Sequence, residues 1–351
     1  MQFVTEFGTF IVTAYLALAT GLAGLLPSYE PTTRPNEPVS GLERIDSSYS
    51  FIPDILLTNP AFQQANVGSA LRPETPTFSP EEAAVNIFCR YQTDQTVRTT
   101  TGSGFFISPT GAILTNAHVA QFLLLERSSR EGTTDCIIRT GDPAVASYEA
   151  ELLYIPPAWI REHADLIEVE VPKGTGERDY ALLYAVSSLT NEPLPARFPY
   201  LAIDPAPLSL NDRGRTVRAG GYPARPLHET GPDSELRFEL DTVTINDLFT
   251  FAQDTADLIS LNADTVNTGG VSGGPVVDER GAAIGVIVTM GVTETDSVRA
   301  LSAEYIERTI AEETGFGVSE YLRGDLSVRA AVFADALAPF LLRLLEFELD
   351  Q

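Results

Sequence analysis

The feature that most constrains this chain is a change of apolar period at about residue 82. From there apolar and polar residues alternate in short stretches. In AVNIFCRYQ, Val85, Ile87, Cys89 and Tyr91 share one face, as a half-buried strand requires. Comparable stretches recur as SGFFIS, AILTN, TDCIIRT, SYEAELLYI, DYALLYAV, RTVRAGGY, ELRFELDTVTI, ADLISLN, GPVVD and AAIGVIV. Gly, Pro, Asn and Asp punctuate them, including the turn SPTG at Ser108 to Gly111. Many short strands with turns between them predict an all-β barrel or sandwich. The Pro-rich stretch from Asn191 to Pro207 is the natural divide between two halves. With 44% hydrophobic and 20% charged residues, the chain has enough apolar side chains for a full core.

The flanks follow other rules. Residues 7–26 are uncharged and mostly apolar, and at about 1.5 Å rise each they span roughly 30 Å as a helix, a bilayer's hydrocarbon thickness. No Lys or Arg precedes them and Glu6 is acidic, which favours an uncleaved transmembrane anchor over a removed signal segment. Residues 1–28 are therefore expected to be the anchor or signal segment. Residues 29–81 read as a linker, since nine of the 24 prolines lie between Pro27 and Pro80. After residue 300 the pattern turns helical. Ser302 can cap a helix running to about Thr314, which closes a catalytic domain at residues 82–315. The tail, 316–351, carries a second helical stretch from about Leu326 with Phe333, Leu337, Phe340, Leu341 and Leu344 on one face. Asp335 and Arg343 interrupt it, so it is expected to pack on the barrels rather than cross a membrane.

Charge and cysteine count exclude several classes. With 48 acidic against 23 basic residues the formal charge is −25, and because nucleic-acid binding needs a basic stripe, a phosphate backbone is not an expected partner. Two cysteines, Cys89 and Cys136, exclude a cysteine-rich scaffold and a four-thiolate zinc site but permit one disulfide. The chain has three histidines, so a catalytic histidine has few candidates.

The most informative stretch is GVSGGP, Gly270 to Pro275. A serine among glycines sits on a sharply turned backbone, and the N–H groups of Gly270 and Ser272 can converge on a developing oxyanion. The same GxSxG pattern marks the nucleophile elbow of α/β-hydrolases, which need a histidine after the serine. No histidine follows His228, so that order is unavailable. The order His, Asp, Ser is available. In GSGFFISPTGAILTNAHVA two strands joined by a tight turn run into His118 and a short apolar helix. In RDYALLYAV, Asp179 opens an apolar strand, where a partly buried carboxylate can orient an imidazole. The rival acid is Asp165 in HADLIEV, a helical or loop segment. His163 and His228 read as surface residues.

Together these segments resemble the trypsin-like serine peptidases, most closely the bacterial HtrA/Deg branch, over about residues 84–292. The resemblance implies a mainly β, double-barrel fold with C-terminal helices, and no metal or cofactor. It makes His118 the general base, Asp179 its orienting acid and Ser272 the nucleophile, with Gly270 and Ser272 as the oxyanion hole. Val271 stands where these enzymes usually carry Asp or Asn, so maturation through an ion pair with a freed N-terminus is not expected. Residues 155–177 lengthen the interval between His118 and Asp179. Too few residues follow the catalytic domain for the PDZ domain typical of HtrA enzymes. Cys89 and Cys136 fall on strands either side of the His118 segment; a bridge and two buried thiols both fit, and an oxidising location would favour the bridge. Val266 occupies the position where trypsin carries an acid, and Val288, Thr289 and Met290 are expected to form the strand lining the primary pocket. That lining favours small or medium apolar side chains.

The expected function is a serine endopeptidase acting through an acyl-enzyme on protein or peptide substrates, including unfolded or damaged ones. It would be tethered to a membrane with its catalytic domain outside the cytoplasm, at the cell surface or in the periplasm, or secreted if the N-terminal segment is cleaved. The alternative is a catalytically weak binding or chaperone module on the same fold.

Overall fold

A computed structural model describes residues 42–44, 60, 78–93, 97–128, 130, 132–169, 175–231, 234–251, 255–262, 269–289 and 298–349, the side chains at 43, 44, 168 and 289 excepted. The apolar stretch 7–26 and most of the linker lie outside these residues. Among the described residues no helix is long and apolar enough to cross a membrane.

Strand β1 (Glu43–Arg44) and a capped turn of helix, α1 (Pro80–Ala83), precede the first barrel. Its strands are β2 (Ala84–Gln92), β3 (Val97–Phe106), β4 (Ala112–Thr115), β5 (Thr133–Thr140), β6 (Val145–Tyr154) and β7 (Ala181–Ser188). They close in the order β2-β3-β4-β7-β6-β5, which leaves no unpaired edge. Between β4 and β5 lie α2 (Ala117–Ala120) and α3 (Phe122–Leu125); between β6 and β7 lie α4 (Pro157–His163) and a 3-10 turn, Ala164–Glu168. Within the added segment 155–177, residues 157–168 are helical.

The second barrel uses β8 (Thr216–Gly221), then α5 (Arg225–Thr230), β9 (Glu239–Thr250), β10 (Leu258–Asn262), β11 (Pro275–Val277), β12 (Ala283–Thr289) and β13 (Val298–Ser302). The pairings run β8-β9-β10-β13-β12-β11 and return to β8, with β1 added in parallel to the far end of β9. The Pro-rich divide expected at 191–207 lies in the connection from β7 to β8.

The strict alternation read for β2 holds only at its end. Its first six residues are all buried. Val85, Ile87 and Cys89 point into the first core. On the other face, Ala84 packs with Tyr222 and Leu236. The Arg139 guanidinium lies 3.7 Å from the centre of the Phe88 ring. Cys89 stands opposite Cys136 in the β2–β5 ladder, and the two form a disulfide. Of the two sequence readings, the bridge is the one present.

Four helices end the chain. Ser302 caps α6 (Ala303–Thr314) through the Tyr305 N–H at 3.1 Å, and Gly315 ends it in the left-handed conformation. α7 (Val318–Tyr321), α8 (Leu326–Ala336) and α9 (Ala338–Leu349) follow. α8 packs on β6 and β7, and α9 on α3, α4 and the 3-10 turn, so the tail covers the first barrel. The single apolar face expected from Leu326 onward is corrected here. Phe333, Leu337, Leu341 and Leu345 are buried, whereas Phe340 is 40% exposed and Leu344 only half-buried. The stretch is two helices: Pro339 is tolerated in the first turn of α9 but not inside a helix, so the chain breaks at Leu337 and the phase resets.

Candidate active site

His118 lies in α2, directly after β4 delivers the chain to the rim of the first barrel. Asp179 and Tyr180 precede β7, so the carboxylate sits on the turn before the strand rather than inside it. Asp179 holds His118 at two points. Oδ2 lies 2.7 Å from Nδ1 and Oδ1 accepts the His118 backbone N–H at 2.9 Å. An ionised carboxylate only accepts, so a neutral imidazole in this contact carries its proton on Nδ1 and its lone pair on Nε2. The two side chains are 13% and 6% exposed, so the pair is shielded while the imidazole reaches the surface. Asn116, fully buried, donates from Nδ2 to the Asp179 carbonyl at 2.8 Å and ties the two segments together. Asp165 lies exposed in the 3-10 turn, His163 stacks on Trp159, and His228 is exposed on α5.

Ser272, half-buried, sits in a turn closed by the Gly274 N–H on the Val271 carbonyl at 2.9 Å. The Gly273 N–H bonds the Ile287 carbonyl at 2.8 Å and the Ile287 N–H returns to the Gly274 carbonyl at 2.9 Å, fixing the turn to β12. Gly270 has φ +93°, and a Cβ there would stand 2.6 Å from the Ala224 nitrogen and the Tyr222 carbonyl, so glycine is required. The Gly269 carbonyl accepts from the Ala224 N–H at 2.7 Å; because the peptide is planar, the Gly270 N–H points the opposite way. Among the described residues, neither that N–H nor the Ser272 N–H donates to a protein acceptor. Val271 is 2% exposed and belongs to the second barrel's core, which accounts for an apolar residue before the serine.

Ser103 on β3 joins the two barrels at this point. Its backbone N–H donates to the Ser272 carbonyl at 2.7 Å and its hydroxyl to the Gly270 carbonyl at 2.7 Å, while the hydroxyl accepts from the Tyr222 N–H at 2.8 Å. Its own carbonyl accepts from Thr115 Oγ1 at 2.7 Å, at the end of the strand that leads to His118. Sequence reasoning passed over Ser103, Thr115 and Asn116. Glycines on both sides of Ser103, inside a strand, were the available signal of a close backbone approach.

Of the pocket residues, Val266 and Met290 lie outside the described residues, and Thr289 is described only as the end of β12. Val288 meets Ser272 through its carbonyl, 3.5 Å from Oγ. Its side chain is buried and points at Gly176, where a Cβ would stand 2.9 Å away.

An acid-braced histidine thus stands on one barrel and a glycine-flanked serine on the other, and the hydrogen bond of the Ser272 hydroxyl among the described residues is the one to the Val288 carbonyl. A family model described as "Trypsin-like peptidase domain" matches residues 102–286, more than half of the chain. The chain belongs to this family and is a serine endopeptidase. No curated protein matches it. Among solved structures, the active form of the Rv3671c protease from M. tuberculosis is similar at 21% identity and TM-score 0.41, covering 83% of this chain and 95% of that one. Deg5 is similar at 18% identity and TM-score 0.43, covering 67% of this chain and 91% of that one.

Proposed function

We propose that this endopeptidase cleaves peptide bonds with Ser272, His118 and Asp179 acting as a unit. Ser272 Oγ attacks the substrate carbonyl while His118 Nε2 takes its proton. The tetrahedral oxyanion is held by the N–H groups of Gly270 and Ser272, and His118 then hands the proton to the leaving amine. Water repeats the sequence to release the acyl group from Ser272. The observation that carries this reading is the two-point hold of Asp179 on His118, which fixes the tautomer that a general base needs. It favours an enzyme over a binding module. Ser272→Ala or His118→Ala should lower kcat for peptide hydrolysis by several orders of magnitude while the circular-dichroism spectrum stays unchanged. Turnover within tenfold of wild type in either variant would refute the assignment.

The setting is proposed on separate grounds. A disulfide persists in oxidising compartments, and residues 7–26 with the Pro-rich linker match a tether that holds the catalytic domain off a membrane. The substrates would then be unfolded or damaged extracytoplasmic proteins. A chain lacking residues 1–28 should leave the membrane fraction and keep full turnover per active site. Retention in that fraction, or dependence of turnover on the segment, would contradict the tether.

A further inference from the structure

Both residues that flank Asp179 are held by one helix. Arg178, on the turn before it, pairs through Nη1 with Glu313 Oε1 on α6, and Tyr154 donates its hydroxyl to the second oxygen of the same carboxylate. Tyr180, directly after Asp179, bonds Thr309 Oγ1 at 2.8 Å. Because Thr309 Oγ1 gives its own proton to the Tyr305 carbonyl at 2.8 Å, Tyr180 is the donor. Thr309 and Glu313 are four residues apart and share a face of α6.

The backbone at Arg178 has φ +58°, the described non-glycine residue in the left-handed region. It stands third in a turn closed by the Asp179 N–H on the Gly176 carbonyl at 3.1 Å, a place that favours glycine. A cationic side chain stands there against the backbone's preference, and Glu313 is what it reaches. The same helix is anchored on the second barrel, where Arg308 Nη2 donates to the buried Asp257 carboxylate at 2.7 Å. α6 follows directly on β13, the last strand of the second barrel.

We infer that α6 is the positioning element of the catalytic acid: Glu313 acting through Arg178, and Thr309 acting through Tyr180, fix the Asp179 carboxylate against His118. The second barrel, which carries the nucleophile, thereby also sets the acid–base pair of the first. This rests on Asp179 serving as the orienting acid.

The test uses the full chain and an internally quenched peptide chosen from a library digest by the wild-type protein. Rates are expressed per active site titrated with a fluorophosphonate. Glu313→Gln keeps the shape and removes the charge. It should lower kcat roughly ten- to hundredfold with KM little changed, since a displacement of about 1 Å at a catalytic group costs that much. The acid limb of the kcat/KM profile should move to lower pH, because an imidazolium less well faced by Asp179 is less stable. In an Asp179→Asn background Glu313→Gln should add nothing further. Unchanged kcat and an unmoved acid limb would overturn the inference. So would a smaller titratable fraction with wild-type kcat per site, which is the signature of a merely structural contact. A full further loss in the Asp179→Asn background would overturn the route through Asp179. If Asp179→Asn itself keeps wild-type turnover, the triad reading falls first, a distinguishable result. Should Glu313→Gln not fold, Thr309→Val removes only the hydroxyl that Tyr180 reaches. It is expected to give the same shift of the acid limb with a smaller loss of kcat, and no change in either would overturn the inference.

Discussion

On the first barrel the proposed base is a side chain braced by side chains: Asp179 meets His118 twice and Asn116 holds the Asp179 segment from behind. On the second barrel the proposed nucleophile is presented by backbone. Its turn is tied to β12 by carbonyl and N–H groups, and at Gly270 and Gly273 a Cβ would run into neighbouring main chain. The difference teaches where each half tolerates change. Isosteric changes that alter only charge or proton count should disable the first barrel's half. The second barrel's half should ignore such changes nearby and respond to a single added carbon.

The largest effect expected from this contrast is at the acid. Asp179→Asn keeps the volume but favours the wrong histidine tautomer, and turnover should fall on the order of ten-thousandfold, as in other triads. Asp165→Asn, on an exposed turn, should leave kcat unchanged. The reverse pattern in steady-state kinetics would move the acid to Asp165. Next in size is the serine turn. At Gly273→Ala the new carbon would overlap the Ser103 carbonyl, and the φ of +88° adds strain, so kcat should drop about a hundredfold through displacement of Ser272. Gly281→Ala is the matched control. Its φ is +81° but no atom lies within 4 Å of the added carbon, so it should cost about 1 kcal/mol of stability in urea unfolding and leave kcat in place. Equal losses at the two glycines would mean that strain, not the contact with Ser103, sets the nucleophile. Smallest for turnover is the disulfide. Its loop spans 47 residues, and removing it with Cys89→Ala and Cys136→Ala should lower stability by about 4 kcal/mol in the chain-entropy picture, with kcat of the folded fraction unchanged. A loss of kcat without a loss of stability would show that the first barrel's half of the site is less self-sufficient than its side-chain contacts indicate.

Much of this was legible in the sequence because it is local. The period-two stretches became strands and the glycines of GVSGGP mark a turn that only glycine can form, while Asp179, expected to open a strand, lies on the turn before β7. What escaped is what forms between distant segments. β13 (Val298–Ser302) is five residues long and runs straight into the cap of α6, so the helix signal concealed it. Pro339 was read through as part of one amphipathic stretch, although it resets the phase. Ser103 showed only as a serine between glycines, yet its bonds to Gly270, Ser272, Tyr222 and Thr115 appear once two barrels are brought together. Arg178 and Glu313 are joined by tertiary structure alone, and neither carries a local signal of the other.

The central claim is that Ser272 is a nucleophile activated by His118 and aimed by Asp179. Its most direct test is mass-spectrometric mapping of a fluorophosphonate adduct on the folded full chain, with labelling rates compared across wild type, His118→Ala and Asp179→Asn. The account predicts one adduct, on Ser272, with labelling slowed strongly by either substitution. No adduct on the folded protein, an adduct on another serine, or labelling of Ser272 at an equal rate in all three proteins would contradict it.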